Sequence, residues 1–406
     1  MNAAVDERPA LEVADIIRTH GEAFLAKHGR ALSGTQHKAL RDLAACRTAA
    51  LGGHIEECLD CGERVLAYNS CRNRHCPKCQ AQTRAQWLER QEKSLLPVEY
   101  FHVVFTLPQE VAELALANRV ALYDLLFASA SATLREIAAN PKHLGAALGV
   151  LLVLHTWGQN LHHHPHVHGV VTGGGLSCNP HGKIDESPRW VACRRGFFLP
   201  VRVLSRLFRG KYLDGLRRLH ERGKLVCAGK LSALADPKAF AAWLTPLYAQ
   251  DWVVYAKRPF GGPNQVLKYL ARYTHRVAIS NSRLLKLEEG RVTFRYKDYA
   301  AKGKPKAMTL PAEEFLRRFT QHVLPKYFMK IRHYGLLANN QRERLLTICR
   351  QLLLSVLVLK QDTDTLEPAT KDAAGEEPRE RCCSKCGSRR LIVRELTSAV
   401  GPPDTS

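Results

Sequence analysis

The residues best suited to chemistry lie in one segment, His155-Thr-Trp-Gly-Gln-Asn-Leu-His-His-His-Pro-His166-Val-His168-Gly. On a β-strand, side chains two apart share a face, so His166 and His168 project together while Val167 turns into the core. Two imidazoles on a rigid strand make a preorganised pair of metal ligands. His155 ends the preceding apolar stretch. If that stretch pairs with the His166 strand, its ring completes a three-histidine face, with Gln159 and His275 as competitors for the third place. Three protein ligands leave positions open for a phosphate oxygen and a water. His162, His163 and His164 read as exposed loop residues.

The second chemical element is Lys268-Tyr269-Leu-Ala-Arg272-Tyr273-Thr-His275-Arg276. At helical spacing Tyr269 and Tyr273 share one face, and Arg272 and Arg276 line an adjacent one. A phenol with a free pKa of about 10 is a weak nucleophile and needs metal or cationic help. With that help, attack on a phosphodiester leaves a phosphotyrosine and a free hydroxyl. Without the histidine pair the two rings would read as helix-packing aromatics.

The third element is the cysteines, 13 in all. Cys58-Leu-Asp-Cys61 and Cys76-Pro-Lys-Cys79 are two CxxC knuckles at close to ribbon spacing, and two knuckles close one tetrahedral zinc site. Cys46, His54, Cys71 and His75 are interleaved and could form a second site or substitute in the first. The role is structural, because no open coordination position is evident. Arg72, Arg74, Lys78 and Arg84 surround the cluster and suit phosphate contact. Cys383-Ser-Lys-Cys386, beside Cys382, is half a site.

These elements sit in a chain of 406 residues with net charge +22 and 45% hydrophobic content, which excludes wholesale disorder and points to a polyanionic partner. No apolar run approaches a membrane span, and residues 1–12 lack the apolar region of a signal peptide. Helical periodicity covers residues 9–50, Ala81–Leu96, one or two helices in Gln109–Ala139, and the basic stretch Val201–Arg222. Tyr100–Thr106, Ala147–Trp157, His166–Thr172, Asp251–Lys257, Arg291–Tyr296 and Ala307–Leu310 read as strands. Gly173-Gly174-Gly175 reads as a break. Gln265–Arg276 and Glu313–Val323 read as helices, and residues 361–380 as an acidic linker. Strands and helices mix without βαβ alternation, which gives an α+β fold.

Taken in order, several motifs resemble one family. They are Cys46-Arg-Thr-Ala-Ala-Leu-Gly-Gly-His54, Tyr68-Asn-Ser-Cys71-Arg-Asn-Arg-His75-Cys76-Pro-Lys-Cys79, Phe101-His-Val-Val-Phe-Thr-Leu-Pro108, His155-Thr-Trp-Gly, His164-Pro-His166-Val-His168, Tyr269-Leu-Ala-Arg-Tyr273 and Ile331-Arg-His-Tyr-Gly335-Leu-Leu-Ala338. The chain resembles, over roughly residues 35–345, the HUH two-tyrosine transposases of the insertion-sequence-91 type. That resemblance implies an N-terminal zinc module and an HUH-nuclease core with a central antiparallel sheet. It implies Mg²⁺ or Mn²⁺ on His166, His168 and a third ligand, and attack by Tyr269 or Tyr273 on single-stranded DNA. A 5′-phosphotyrosine conserves bond energy, so rolling-circle strand transfer needs no ATP. One departure is Lys326-Tyr327-Phe328, where the family is expected to carry glycine in the middle.

The expected organisation is a helical and zinc-binding segment over 1–96, a catalytic domain over 97–345, and a C-terminal helix, linker and cysteine tail over 346–406. DNA contacts are expected from Arg72, Arg74, Lys78, Lys268, Arg272 and Arg276. The expected setting is the bacterial cytoplasm, with the nucleoid. Two other readings compete. A non-catalytic zinc-ribbon nucleic-acid-binding protein leaves the histidines and tyrosines without a job. A metal-dependent hydrolase of a small substrate leaves the charge and zinc module unexplained.

Overall fold

The computed structural model describes residues 11–194, 196, 198–257, 265, 278–298, 303–361 and 382–397. The fold is α+β, with its described sheets antiparallel. The chain forms two units assembled from interleaved segments: residues 1–82, 279–317 and 361–406 in one, 83–278 and 318–360 in the other.

The first unit opens with helices α1 (Val13–His28) and α2 (Gly34–Ala45). Ser33 caps α2, its hydroxyl and Gln36 closing a capping box. Strands β1 (Gly53–Cys58) and β2 (Arg64–Tyr68) form a hairpin. The far end of the chain, β12 (Leu391–Leu396), adds to the open edge of β1. A second three-stranded sheet comprises β8 (Leu284–Glu288), β9 (Arg291–Asp298) and β10 (Lys304–Pro311). Glu313, at the start of α8 (Ala312–Gln321), receives Lys27 and His28 of α1, the latter at 2.7 Å.

The second unit is built on a six-stranded sheet. Its order is β11 (Ile331–Gly335), β4 (Ala146–Trp157), β5 (His163–Ser177), β3 (Tyr100–Thr106) and β7 (Val254–Lys257), with β6 (Trp190–Ala192) on β5. β4 reads as an almost unbroken apolar run because both its faces are covered. On one face Phe101, Val103, Phe105, Val150, Leu152, Leu154, Val167 and Val171 meet α4 (Gln109–Ala117), α5 (Arg119–Ala139), α6 (Val201–Glu221) and α7 (Pro237–Ala249). Gln109–Ala139 is thus two helices, parted at Asn118. On the other face Tyr100, Leu151, Val153 and Val170 pack with Trp87 of α3 (Gln80–Glu92) and Leu345, Leu346 and Cys349 of α9 (Arg342–Gln361).

Two expectations change here. Gly173-Gly174-Gly175 does not break the chain; it lies inside β5. A Cβ at Gly175 would stand 2.0 Å from the Ala147 carbonyl oxygen, so glycine is what lets β4 approach beside its bulge. The departure at Tyr327 also acquires a meaning. Tyr327 holds φ at +61°, a left-handed conformation natural to glycine. Tyr327 is 71% exposed, so little burial offsets that conformation.

Candidate active site and metal centres

The β4–β5 hairpin sets the site. Its register places His155 directly opposite His166 and Val153 opposite His168. Val167 and Leu154 belong to the helix-covered core on one side, so strand parity sends His155, His166 and His168 to the other. Their ligand-capable nitrogens all lie within 4.8 Å of one another. The three imidazoles thus share one face of the hairpin. Gln159 falls in the turn between the two strands. His155 is buried and stacks on Trp157 at 4.7 Å between ring centroids and 17° between planes. Lys330 lies over that Trp157 ring at 5.2 Å.

Hydrogen bonds fix the two strand histidines. His166 Nδ1 is 2.7 Å from the His164 carbonyl, which can only accept, so Nδ1 carries the proton and Nε2 keeps its lone pair. His168 Nδ1 is 2.8 Å from Nε2 of His102 on β3. The two Nε2 atoms of His166 and His168 face each other at 3.1 Å. Burial holds both rings neutral, pushing His166 down to about 4 and His168 well below its ordinary value. Neutral imidazoles are the form that binds metal. Two nitrogens each about 2.1 Å from one ion at a right angle would be about 3.0 Å apart. The observed spacing fits a divalent cation held by this face.

His102 is the site residue that the sequence reading passed over. Its signal was a polar residue inside the apolar run Tyr100–Thr106, on the same parity as the unit's second core face. Tyr255 and Lys257 of the edge strand pair with Val104 and His102 and add an aromatic and a cation to the same sheet face. His163 corrects an expectation. It is buried, not an exposed loop residue: Tyr123 Oη donates to Nε2 at 2.7 Å, and Nδ1 donates to the Ala112 carbonyl at 3.0 Å. Tyr269, Tyr273, Lys268, Arg272, His275 and Arg276 lie outside the described residues.

The cysteines assemble differently from the expected site of Cys58, Cys61, Cys76 and Cys79. Two separate four-sulfur groups form: Cys46, Cys71, Cys76 and Cys79 in one, and Cys58, Cys61, Cys383 and Cys386 in the other. In the first, neighbouring sulfurs lie 3.4–3.6 Å apart. The other donors offered by the sequence stay outside. His75 is buried with Nδ1 3.0 Å from Asn73 Oδ1, and His54 lies 3.4 Å from Glu56. Among the expected DNA contacts, Arg72 and Arg74 are exposed, whereas Lys78 is drawn into an ion pair with Glu12 at the start of α1. Cys46, Cys71 and Cys76 hold the Cys79 thiol well below its ordinary value, with a smaller contribution from the backbone N–H of Arg72, whose φ is +50°.

A four-thiolate set with no open position is structural zinc chemistry. A face of three neutral histidines is a donor set that could hold a further metal ion. Fold and site thus define an α+β metalloprotein with a structural cysteine module and a separate histidine centre. Residues 149–344 match the family described as "Putative transposase", and residues 16–107 match "Transposase zinc-binding domain". The chain is 50% identical over 406 residues to a protein of Sinorhizobium fredii (strain NBRC 101917 / NGR234) named "Putative transposase y4qJ", covering 98% of this chain and all of the relative. It is 29% identical over 372 residues to the "Transposase for insertion sequence element IS801" of Pseudomonas savastanoi pv. phaseolicola, covering 87% of this chain and 82% of the relative. No solved structure matches the chain. The chain belongs to the insertion-sequence-91-type transposase family. Membership makes it a DNA-binding, DNA-cleaving enzyme with structural zinc. Among the described residues no helix is long and apolar enough to cross a membrane.

Proposed function

We propose that this transposase nicks and rejoins single-stranded DNA at element ends through a 5′-phosphotyrosine, in a rolling-circle route. The observation that carries the reading is the convergence of His155, His166 and His168 on adjacent strands, with the two Nε2 atoms 3.1 Å apart. These three residues would hold Mg²⁺ or Mn²⁺, which supplies polarisation of the scissile phosphate when bound.

The chain's own groups do the rest. The His164 carbonyl and His102 orient the strand histidines, and burial keeps those rings unprotonated near neutral pH. Tyr269 or Tyr273 supplies the nucleophile. Its oxygen forms the new bond to phosphorus, the P–O3′ bond breaks, and the phenolic proton passes, directly or through water, to the released 3′ oxygen to give the 3′ hydroxyl. A second tyrosine permits a second cleavage while the first adduct persists. Rejoining reverses the same chemistry and needs no ATP. Arg72 and Arg74, with Lys268, Arg272 and Arg276, contact the phosphate backbone, and Tyr255 can stack a base. The transposase works in the cytoplasm, at the nucleoid.

The test is covalent capture. Incubation with a labelled single-stranded element end and Mn²⁺ is expected to leave label on the protein. Replacing both Tyr269 and Tyr273 by Phe should abolish it while zinc content and DNA binding persist. An adduct that survives the double substitution would sink this assignment and turn attention to Tyr255. A non-catalytic zinc-ribbon protein would give no adduct at all.

A further inference from the structure

The family's zinc-binding match ends at residue 107, yet one of the two four-cysteine groups draws half its sulfurs from the far end of the chain. We propose that Cys58, Cys61, Cys383 and Cys386 hold a second structural zinc ion, and that this ion clamps the C-terminal tail onto the N-terminal module. The zinc domain is then bipartite in sequence, and the last stretch of the chain completes it.

The two half-sites are built alike. Each is a Cys-x-x-Cys-Gly turn, Cys58-Leu-Asp-Cys61-Gly62 and Cys383-Ser-Lys-Cys386-Gly387. In each, the glycine N–H donates to the carbonyl of the first cysteine at 2.9 Å. In each, the N–H of the first cysteine donates to a carbonyl five residues on: Glu63 at 2.9 Å, Ser388 at 2.7 Å. Both glycines are left-handed, with φ of +71° and +76°. A turn of this shape presents two sulfurs to one side, and two such turns face each other here. Cys58 Sγ is 3.6 Å from Cys386 Sγ, and Cys61 Sγ is 3.6 Å from Cys383 Sγ. A disulfide would need about 2.05 Å. Four sulfurs about 2.3 Å from one tetrahedral ion would lie about 3.8 Å apart. The observed spacing is close to that.

The flanking strands agree with the clamp. β12 pairs with β1 over its whole length, from Gly53 opposite Leu396 to Cys58 opposite Leu391. Leu59 N–H donates to the Arg390 carbonyl at 2.9 Å, Arg390 reaches Asp60 at 2.8 Å, and Lys385 reaches Glu63 at 3.1 Å. Yet β12 is largely exposed: Ile392, Val393 and Leu396 are 41%, 50% and 37% accessible. A six-residue edge strand with so little apolar burial is marginal alone. Metal ligation supplies what burial does not, as in other small metal-held modules.

The experiment is a metal count on the full chain by elemental analysis, alongside gel filtration. Two zinc ions per chain are expected for the natural protein. Cys383→Ser with Cys386→Ser should retain one, as should Cys76→Ser with Cys79→Ser. Cys383→His, which keeps a ligand, should retain two and separate a coordination role from a folding defect. One zinc in the natural chain, or two after loss of Cys383 and Cys386, overturns the proposal. If the natural protein runs as an oligomer that the Cys383/Cys386 variant loses, the tail is closing a site on another copy, and the intramolecular clamp is refuted. The count reads zinc and not nicking, so it stands or falls independently of the tyrosine chemistry.

Discussion

His102 gives the sharpest test of the histidine centre. In the metal-free chain His166 accepts at Nε2, so His168 donates there from its own Nε2 and accepts the Nε2–H of His102 at Nδ1. Once His168 Nε2 gives its lone pair to a cation, that arrangement must reverse. Its Nδ1 must carry the proton, and His102 must accept it. Replacing His102 by Phe keeps a planar ring of similar size but removes the acceptor. The metal-free protein keeps the proton of His168 on Nε2, where His166 accepts it. The metal-bound protein has no such escape and buries an unsatisfied N–H, at about 1–3 kcal/mol. At about 1.4 kcal/mol per decade this is roughly a 10–100-fold loss of affinity, the size typical of removing a partner behind a ligand histidine. Titrating Mn²⁺ into wild type and His102→Phe should show that weakening, with thermal stability in chelator little changed. His102→Gln, which restores an acceptor, should recover part of it, and nicking by His102→Phe should recover at high Mn²⁺. Affinity within twofold of wild type would refute the positioning role.

Three further outcomes follow. His163 and His322 are buried neutral, held down to about 3 and about 4 chiefly by burial, and neither is a site ligand. Their folded values lie below the ordinary 6.5, so the unfolded chain takes up protons first as pH falls. Stability is then full above about 6.5 and falls below it, towards 4 for His322 and 3 for His163, by up to about 1.4 kcal/mol per pH unit for each. Urea unfolding in chelator that stays constant from pH 7 to 4.5 would contradict this. Tyr327→Gly should raise stability by up to about 1 kcal/mol, because it relieves a left-handed φ at an exposed site; a loss in the same unfolding assay would mean the ring matters. Arg72→Gly should keep zinc, since glycine suits φ of +50°, yet weaken single-stranded DNA binding and lower the salt slope by about 0.7. Unchanged affinity and slope would remove Arg72 from the DNA contacts.

What could be read in advance, and what could not, divides by the range of the forces involved. The parity of His166-Val167-His168 is local to one strand, and an apolar Val167 fixes which face the imidazoles take. His155 follows because β4 and β5 are neighbours joined by a short turn, so their pairing is nearly forced. His102 demanded knowing that β3 lies beside β5, a non-local fact, though a lone polar residue in an apolar strand marked the place. His163 was misread because a histidine-rich run looks solvated, while Tyr123 and the Ala112 carbonyl satisfy both its nitrogens inside.

Cysteine pairing is the extreme case of this range dependence. Knuckle spacing says that Cys58 and Cys61 need two partners, and Cys76 with Cys79 is the nearer pair in sequence. The nearer pair is already taken by Cys46 and Cys71, and the choice is made by β12 adding to β1 more than 300 residues away in sequence. Spacing alone carries no term for that strand addition. The trailing glycine does carry one. Gly62 and Gly387 follow their second cysteines and adopt the same left-handed turn, whereas Gln80 follows Cys79 and opens a helix. Matching knuckles by their turn chemistry, and not by distance along the chain, selects Cys383 and Cys386 as the partners that geometry then brings within 3.6 Å.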